Sequence, residues 1–288
     1  MRLVLNCRIA RFTERARHVE LFDEHGQSRG KFDFLIAADG SRSQLRHASG
    51  LAASVYEYPH GVLWALGHCS AIGNKLHQIT HGTRLLAGLL PMGEGRCSLF
   101  WSLPRIEKDA LMQSDFAKWK ALVGAAMPES QELLAGLNSF ADTRFTTYLH
   151  VRMPRWHTQR SLLIGDAAHS MSPHLGQGIN LALLDGFTLA QAIGATQNPL
   201  EAFSLCSQLR RTHTDFYAAI TYLLTPFFQS RGKLKGWARD IVLPILPSMP
   251  FIGPQMLLTM CGCKRSYLGG WIELPDAGSP QDALSLRT

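Results

Sequence analysis

Between Ser161 and Asp185 the chain reads SLLIGDAAHSMSPHLGQGINLALLD, and its apolar pattern changes period within those residues. Ser161–Gly165 is a short apolar run that lacks alternation, as expected of a strand covered on both faces. From about Gly178 to Ile193 apolar residues recur at helical spacing over a length no ordinary strand reaches. A buried strand, a proline-bearing turn and a long helix in succession restrict the chain to an architecture of layered strands and helices. The strand also delivers Asp166 to its carboxyl end, where a carboxylate can accept hydrogen bonds from the hydroxyls of a sugar-like chain. Gly176 and Gly178 let backbone amides approach a planar ligand, and unpaired amides at a helix start favour an anionic group. Gly176-x-Gly178 is not a dinucleotide phosphate loop, because a loop containing Pro173 precedes it and Leu181 stands where the last glycine belongs.

A second strand end lies upstream. Phe32–Ala38 loses its alternation towards Asp39-Gly40-Ser41-Arg42-Ser43-Gln44-Leu45-Arg46, although an Asp-Gly turn by itself is more often a plain turn. Leu3–Thr13 and Arg17–Phe22 read as strands, with a turn at His25-Gly26. Glycine-punctuated β-like stretches from Gly61 to Leu103 predict an antiparallel sheet. Helical periodicity follows over Ser114–Leu137, then a strand near Phe145–Val151 and a second long helix over about Pro199–Tyr222. Residues 241–263 carry no charge, yet Pro244, Pro247, Pro250 and Pro254 would each remove a backbone donor. The first expectation there is a proline-broken helical cap on the core. A membrane-surface contact through 233–265, flanked by Lys233, Lys235, Arg239, Lys264 and Arg265, comes second, and a membrane-spanning helix last.

With 288 residues, 46% of them hydrophobic, the chain can bury a sizeable core. Its formal charge of +7 arises from scattered basic residues without an aromatic-interleaved stripe, which points away from nucleic acid. Six irregularly spaced cysteines predict free thiols and a cytoplasmic setting, and Asn6 and Arg8 interrupt any signal-peptide core. No metal site is expected: Cys261-x-Cys263 lacks a second pair, and His77 and His81 share a strand face without carboxylate company. Hydrolase elbows and Walker loops are absent. Arg210, Arg211 and His213 are expected on a solvated helix face, and His169 as a positioned residue in preference to a base. Trp64, Phe100, Trp101 and Tyr148 either line an aromatic pocket or pack the core, and the pattern does not separate the two.

Together, Asp39-Gly40 with Ser43 and Arg46, and Gly165-Asp166-Ala167-Ala168-His169 with Pro173-x-x-Gly176-Gln177-Gly178 and the following Asn180 and Asp185, resemble two signatures of FAD-dependent aromatic hydroxylases. The group is of the para-hydroxybenzoate hydroxylase type and includes ubiquinone-biosynthesis hydroxylases. Ala37-Ala38 stands where that family usually has Gly-Ala. The resemblance spans the chain to about residue 230, and the β-rich stretch lies between the motifs, as in the family. It implies an α/β (α+β) fold: an incomplete three-layer FAD-binding domain with an inserted antiparallel substrate sheet and a helical carboxy-terminal segment. The expected divisions are 1–50, 51–152, 153–230 and 231–288.

Carried over, the resemblance implies that Asp39 lies near the pyrophosphate of FAD and helps productive nicotinamide binding, with Gly40, Ser43 and Arg46 also binding the cofactor. Asp166 would bind the ribityl chain, with Gly165 and Ala167 also at the cofactor, Pro173 would lie beside the isoalloxazine ring, and Gly176, Gln177, Gly178, Ile179 and Asn180 would meet its pyrimidine edge. The implied activity is hydroxylation of an aromatic or prenylated phenolic substrate with NAD(P)H and oxygen, the chemistry residing in the cofactor. Family members open with a Gly-x-Gly-x-x-Gly module that is not found here. The expectation is therefore an amino-terminally truncated chain. It would be incomplete by itself, a non-catalytic remnant, or half of a split flavoprotein whose partner chain completes the FAD site.

Overall fold

The computed structural model describes residues 2–196, 198–230, 232–267 and 270. Its strands are β1 Ile9–Glu14, β2 Val19–Asp23, β3 Ser28–Phe32, β4 Leu35–Ala37, β5 Ser54–His68, β6 His77–His81, β7 Leu85–Gly93, β8 Arg96–Pro104, β9 Arg144–Arg152 and β10 Ser161–Leu163. Its α-helices are α1 Gln44–Ala48, α2 Lys108–Met112, α3 Phe116–Ala126, α4 Gln131–Ala135, α5 Asp166–His169, α6 Gly178–Ala195, α7 Pro199–Phe228, α8 Lys233–Val242 and α9 Ile252–Met260. Two compact units form. One comprises 1–56, 149–222 and 245–288; the other comprises 57–148 and 223–244. The expected tail 231–288 is thus shared between them, and its part beyond Gly270 lies outside the described residues.

In the first unit β1, β2 and β3 form an antiparallel meander in which Phe12 pairs with Leu21 and Glu14 with Val19. The single strand expected over Phe32–Ala38 is in fact two elements. Phe32 closes the meander opposite Val19, whereas Leu35–Ala37 turns away to lie parallel to Ser161–Leu163. Arg160 anchors the break, donating from Nη1 to the Asp33 carbonyl at 2.9 Å and receiving the Leu35 N–H on its own carbonyl at 2.8 Å. All three residues of β10 are buried, as the unalternating run predicted. Leu162 and Leu163 join Val19, Ala37, Val151, Trp156, Ala167, Leu189 and Phe203 in one core. Each large apolar side chain so buried contributes roughly 1.5–3 kcal/mol relative to exposure.

In the second unit five antiparallel strands run in the order β6-β7-β8-β5-β9. Leu63 pairs with Trp101 and Ala65 with Leu99, so these residues share a face buried beneath Trp119, Val123, Leu133 and Phe140. The helix expected over Ser114–Leu137 divides at Pro128, which opens a short 3-10 turn between α3 and α4. Asp115 caps α3 by accepting the N–H groups of Ala117 and Lys118. Trp101 belongs to this core, Trp64 packs tilted on Phe100 at 5.8 Å, and burial drives the Tyr148 hydroxyl well above its usual range. His77 does have carboxylate company, since its Nδ1 lies 3.5 Å from Glu129. Among the described residues no cluster suited to a metal ion forms. Arg239 is buried, donating to the carbonyls of Gly82 and Phe227, so it is not a free flanking cation.

α7 continues beyond Tyr222 through Pro226 to Phe228. After it, the proline-rich segment does not form a cap that hides its apolar residues. Ile245, Phe251, Leu257 and Met260 are exposed, with a 3-10 turn at Leu246–Ser248 packed directly against Gly253. Among the described residues α6 is the one helix long and apolar enough to cross a membrane by itself. One side of it is anchored in the protein, since its central Asp185 is wholly buried in a polar network, while Ile179 and Leu183 on the other side are exposed.

Candidate flavin site

β4 and β10 lie side by side and parallel, so the turns that follow them emerge at one sheet end. The Asp39 turn caps α1. Asp39 Oδ1 accepts the Ser43 hydroxyl at 2.5 Å and Oδ2 the Leu45 N–H at 3.1 Å, while Ser43 Oγ accepts the Arg46 N–H at 2.8 Å. Gly40 adopts φ 84°, a left-handed turn conformation. Arg46, fully buried, donates from Nη1 to the Ala167 carbonyl at 2.9 Å and from Nη2 to Ser41 at 2.8 Å. This arginine ties the two motifs together across 121 residues of sequence.

The second turn is built by close packing. Gly165 has φ 58° and ψ −141°, and a Cβ there would lie 2.9 Å from the Ala182 Cβ, so only glycine lets the strand end press onto α6. Asp166 extends outward. Its side chain is exposed, yet surrounding protein raises its carboxyl pKa by desolvation while nearby His169 pulls it down. Its Oδ1 lies 3.8 Å from where a Cβ on Gly178 would stand, which sets the carboxylate beside the amino terminus of α6. Gly176 closes the 3-10 turn Pro173–Leu175 in the left-handed region. Leu181 N–H, bonded to the Gln177 carbonyl at 2.9 Å, begins the helical ladder. The N–H groups of Gly178, Ile179 and Asn180 therefore have no acceptor within the helix. Pro173, Gly176, Ile179 and Asn180 are exposed around them. Gln177 is buried, donating to the Met260 carbonyl at 2.7 Å and accepting from Asn180 at 3.0 Å.

Behind the loop lies a cluster that sequence reasoning placed wrongly. Arg210 and His213 are not solvated but buried. Asp185 accepts the Gly165 N–H at 2.9 Å, His169 Nε2–H at 2.6 Å and Arg210 Nε–H at 2.9 Å. Arg210 also reaches His213 Nδ1 at 2.8 Å. Because an arginine only donates, His213 must accept at Nδ1 and carry its proton on Nε2, which faces the Gly262 carbonyl at 3.1 Å. Burial, followed by the Arg210 charge, pushes His213 down to about 4, the neutral form this tautomer requires. Burial alone would raise Asp185, but His169 and Arg210 outweigh it and hold the carboxyl below its ordinary value. The available signal was Asp185 itself, the one charged residue in α6. A separate concavity of about 560 Å³ in this unit, lined by Arg152, Trp156, Arg211 and Asp215, shares only His169 with these motifs.

Several known proteins are similar. A flavin-dependent monooxygenase from an unknown prokaryotic organism is 27% identical over 224 residues, covering 72% of this chain and 55% of its own length. The 6-methylpretetramide 4-monooxygenase of Streptomyces rimosus is 33% identical over 155 residues, covering 53% of this chain and 37% of its own. Aurachin C monooxygenase/isomerase of Stigmatella aurantiaca is 27% identical, covering 75% and 57% respectively. The chain thus spans about half the length, or less, of these relatives. Klebsiella pneumoniae HpxO, solved with FAD and uric acid, superposes with TM-score 0.71 at 23% identity, covering 88% of this chain and 65% of that one, and shares the fold. Residues 13–199 match the profile of the FAD binding domain, and the chain belongs to that family.

Proposed function

We propose that this chain forms the flavin-cradling part of an FAD-dependent monooxygenase that hydroxylates an aromatic or prenylated phenolic substrate with NAD(P)H and oxygen. The observation that carries the reading is the juxtaposition of the exposed Asp166 carboxylate with the amides of Gly178–Asn180, which have no acceptor within the helix. That donor and acceptor set fits FAD. The carboxylate would take ribityl hydroxyls, and the amides would face the pyrimidine edge, with Pro173 flanking the ring. When bound, FAD would supply the exchange of electrons with NAD(P)H and oxygen and the delivery of an oxygen atom to the substrate.

The chain's own residues bind and orient. The partial positive charge at the start of α6 favours negative charge on the ring system. Arg46 and Asp185 hold the two turns in register, through Ala167 and Gly165. Asp39, Ser43 and Gly40 build the upstream turn near the expected pyrophosphate, their own side-chain bonds holding α1 in place. Support for an aromatic substrate comes from the relatives, which include a 6-methylpretetramide and an aurachin C monooxygenase.

A second reading is favoured by one observation: among the described residues β4 pairs with β10 and with no other strand. Its remaining edge would accept a strand from a separate chain that completes the FAD site.

The test is titration of the purified chain with FAD, followed by flavin fluorescence, comparing wild type with Asp166→Ala. Loss of the carboxylate is expected to weaken binding by several-fold or more, from lost charge-assisted hydrogen bonds. Equal affinities, with wild type binding, would refute the assigned role of Asp166. NAD(P)H consumption with added FAD then reports whether this chain reacts alone or needs a partner.

A further inference from the structure

The segment 245–267 combines two features that rarely coexist: exposed apolar side chains and firm anchorage. Phe251 is 87% exposed, Leu257 and Met260 64% each, and Ile245 55%. The base of the segment is fixed. Tyr217 donates its hydroxyl to the Thr259 carbonyl at 3.0 Å, Gln177 donates to Met260 at 2.7 Å, and His213 donates to Gly262 at 3.1 Å. Gly253 sits so close to Pro247 that a Cβ would lie 2.2 Å from its carbonyl oxygen, which locks the turn before α9. Apolar residues on a fixed turn cannot hide by rearranging, and among the described residues nothing covers them.

Charge selects the occupant. From Ile241 to Tyr267 the chain has no acidic residue, and Lys264 and Arg265 follow the Cys261–Cys263 turn that ends α9. A second copy docked by two-fold symmetry through this face would bring two acid-free, basic rims together. An anionic bilayer offers the opposite charge, an apolar layer beneath it and an interface suited to Tyr267. We propose that 245–267 docks the chain on an anionic lipid surface, with Phe251, Leu257 and Met260 inserted among the acyl chains and Lys264 and Arg265 set against lipid phosphates. α8, described on its own, carries the same mixture, with Leu234 and Trp237 exposed and Lys235 between them.

Co-sedimentation of the full chain with vesicles tests this without any flavin, so its outcome is separable from that of the FAD titration. Vesicles of phosphatidylcholine alone are compared with vesicles containing about 30% phosphatidylglycerol, at roughly 0.05 and 0.5 M salt. Binding is expected to be about tenfold stronger to the anionic vesicles, to weaken at high salt, and to fall roughly tenfold in Phe251→Asp/Leu257→Asp. Lys264→Glu/Arg265→Glu should abolish the preference for anionic lipid. Equal binding to both vesicle types, unchanged binding by the aspartate variant, or no binding at all overturns the proposal. A dimer in solution that the aspartate variant dissolves, with no vesicle binding, assigns the face to a second copy instead.

Discussion

Replacing Asp185 by Ala removes one carboxylate and unsettles three elements at once. The side chain is wholly buried and accepts from the Gly165 N–H, His169 and Arg210 at 2.9, 2.6 and 2.9 Å. Without it, Arg210 keeps only His213 Nδ1 at 2.8 Å and the Leu181 carbonyl at 3.5 Å, neither of which is charged in the neutral-histidine state. Leaving such a cation unpaired costs about 3–5 kcal/mol. For a domain of this size each kcal/mol moves the melting temperature by roughly 2–4 °C, so a fall of about 6–20 °C is expected. Thermal melting by circular dichroism at neutral pH measures it, alongside Arg210→Met and the double variant. The double variant should melt above Asp185→Ala, because it removes the stranded charge as well. A fall below about 2 °C, or strictly additive losses, would refute the reasoning. The acid side follows the same logic. A carboxyl held below its ordinary 3.8 contributes its full stability above that value and loses it as pH falls through the folded-state value.

His213 works over a higher window: its pKa falls from 6.5 to about 4 on folding, so stability is fully present above pH 6.5 and drops as pH falls towards 4, by roughly 3 kcal/mol in total. His213→Gln should flatten that slope in urea titrations run at stepped pH, and a slope unchanged from wild type would contradict the assignment. Gly165→Ala meets both a left-handed backbone and the Ala182 Cβ at 2.9 Å, and should cost roughly 2–5 kcal/mol by chemical denaturation. Adding Ala182→Gly should recover the packing part and leave the backbone part; full recovery would show that the dihedral carries no strain.

The sequence already displayed what local patterning encodes. The unalternating run at Ser161–Leu163 folds as a doubly covered strand, and the helix begun by Gly178 runs to Ala195. The hairpin-rich stretch forms one antiparallel sheet. What stayed hidden depends on partners distant in sequence. Nothing near Arg210 announces Asp185, twenty-five residues earlier, so a pair of basic residues on a helix looked like a solvated face. Arg239 likewise meets Gly82 across 157 residues. The break between Phe32 and Leu35 was invisible because Arg160 enforces it. At the candidate site the glycines and Asp166 were legible as a motif, while the buried polar cluster supporting them left one trace, the one charged residue in α6.

The turn at Gly262 couples the tail to the glycine loop. A Cβ at this position would stand 2.4 Å from Gln177 Oε1, and φ of 78° already excludes most other residues. Gln177 donates to the Met260 carbonyl and His213 to the Gly262 carbonyl, so the turn is gripped by a side chain at the start of α6 and by one from the buried polar cluster. A side chain introduced at Gly262 would therefore be felt at the loop that opens α6, although the two lie far apart along the chain.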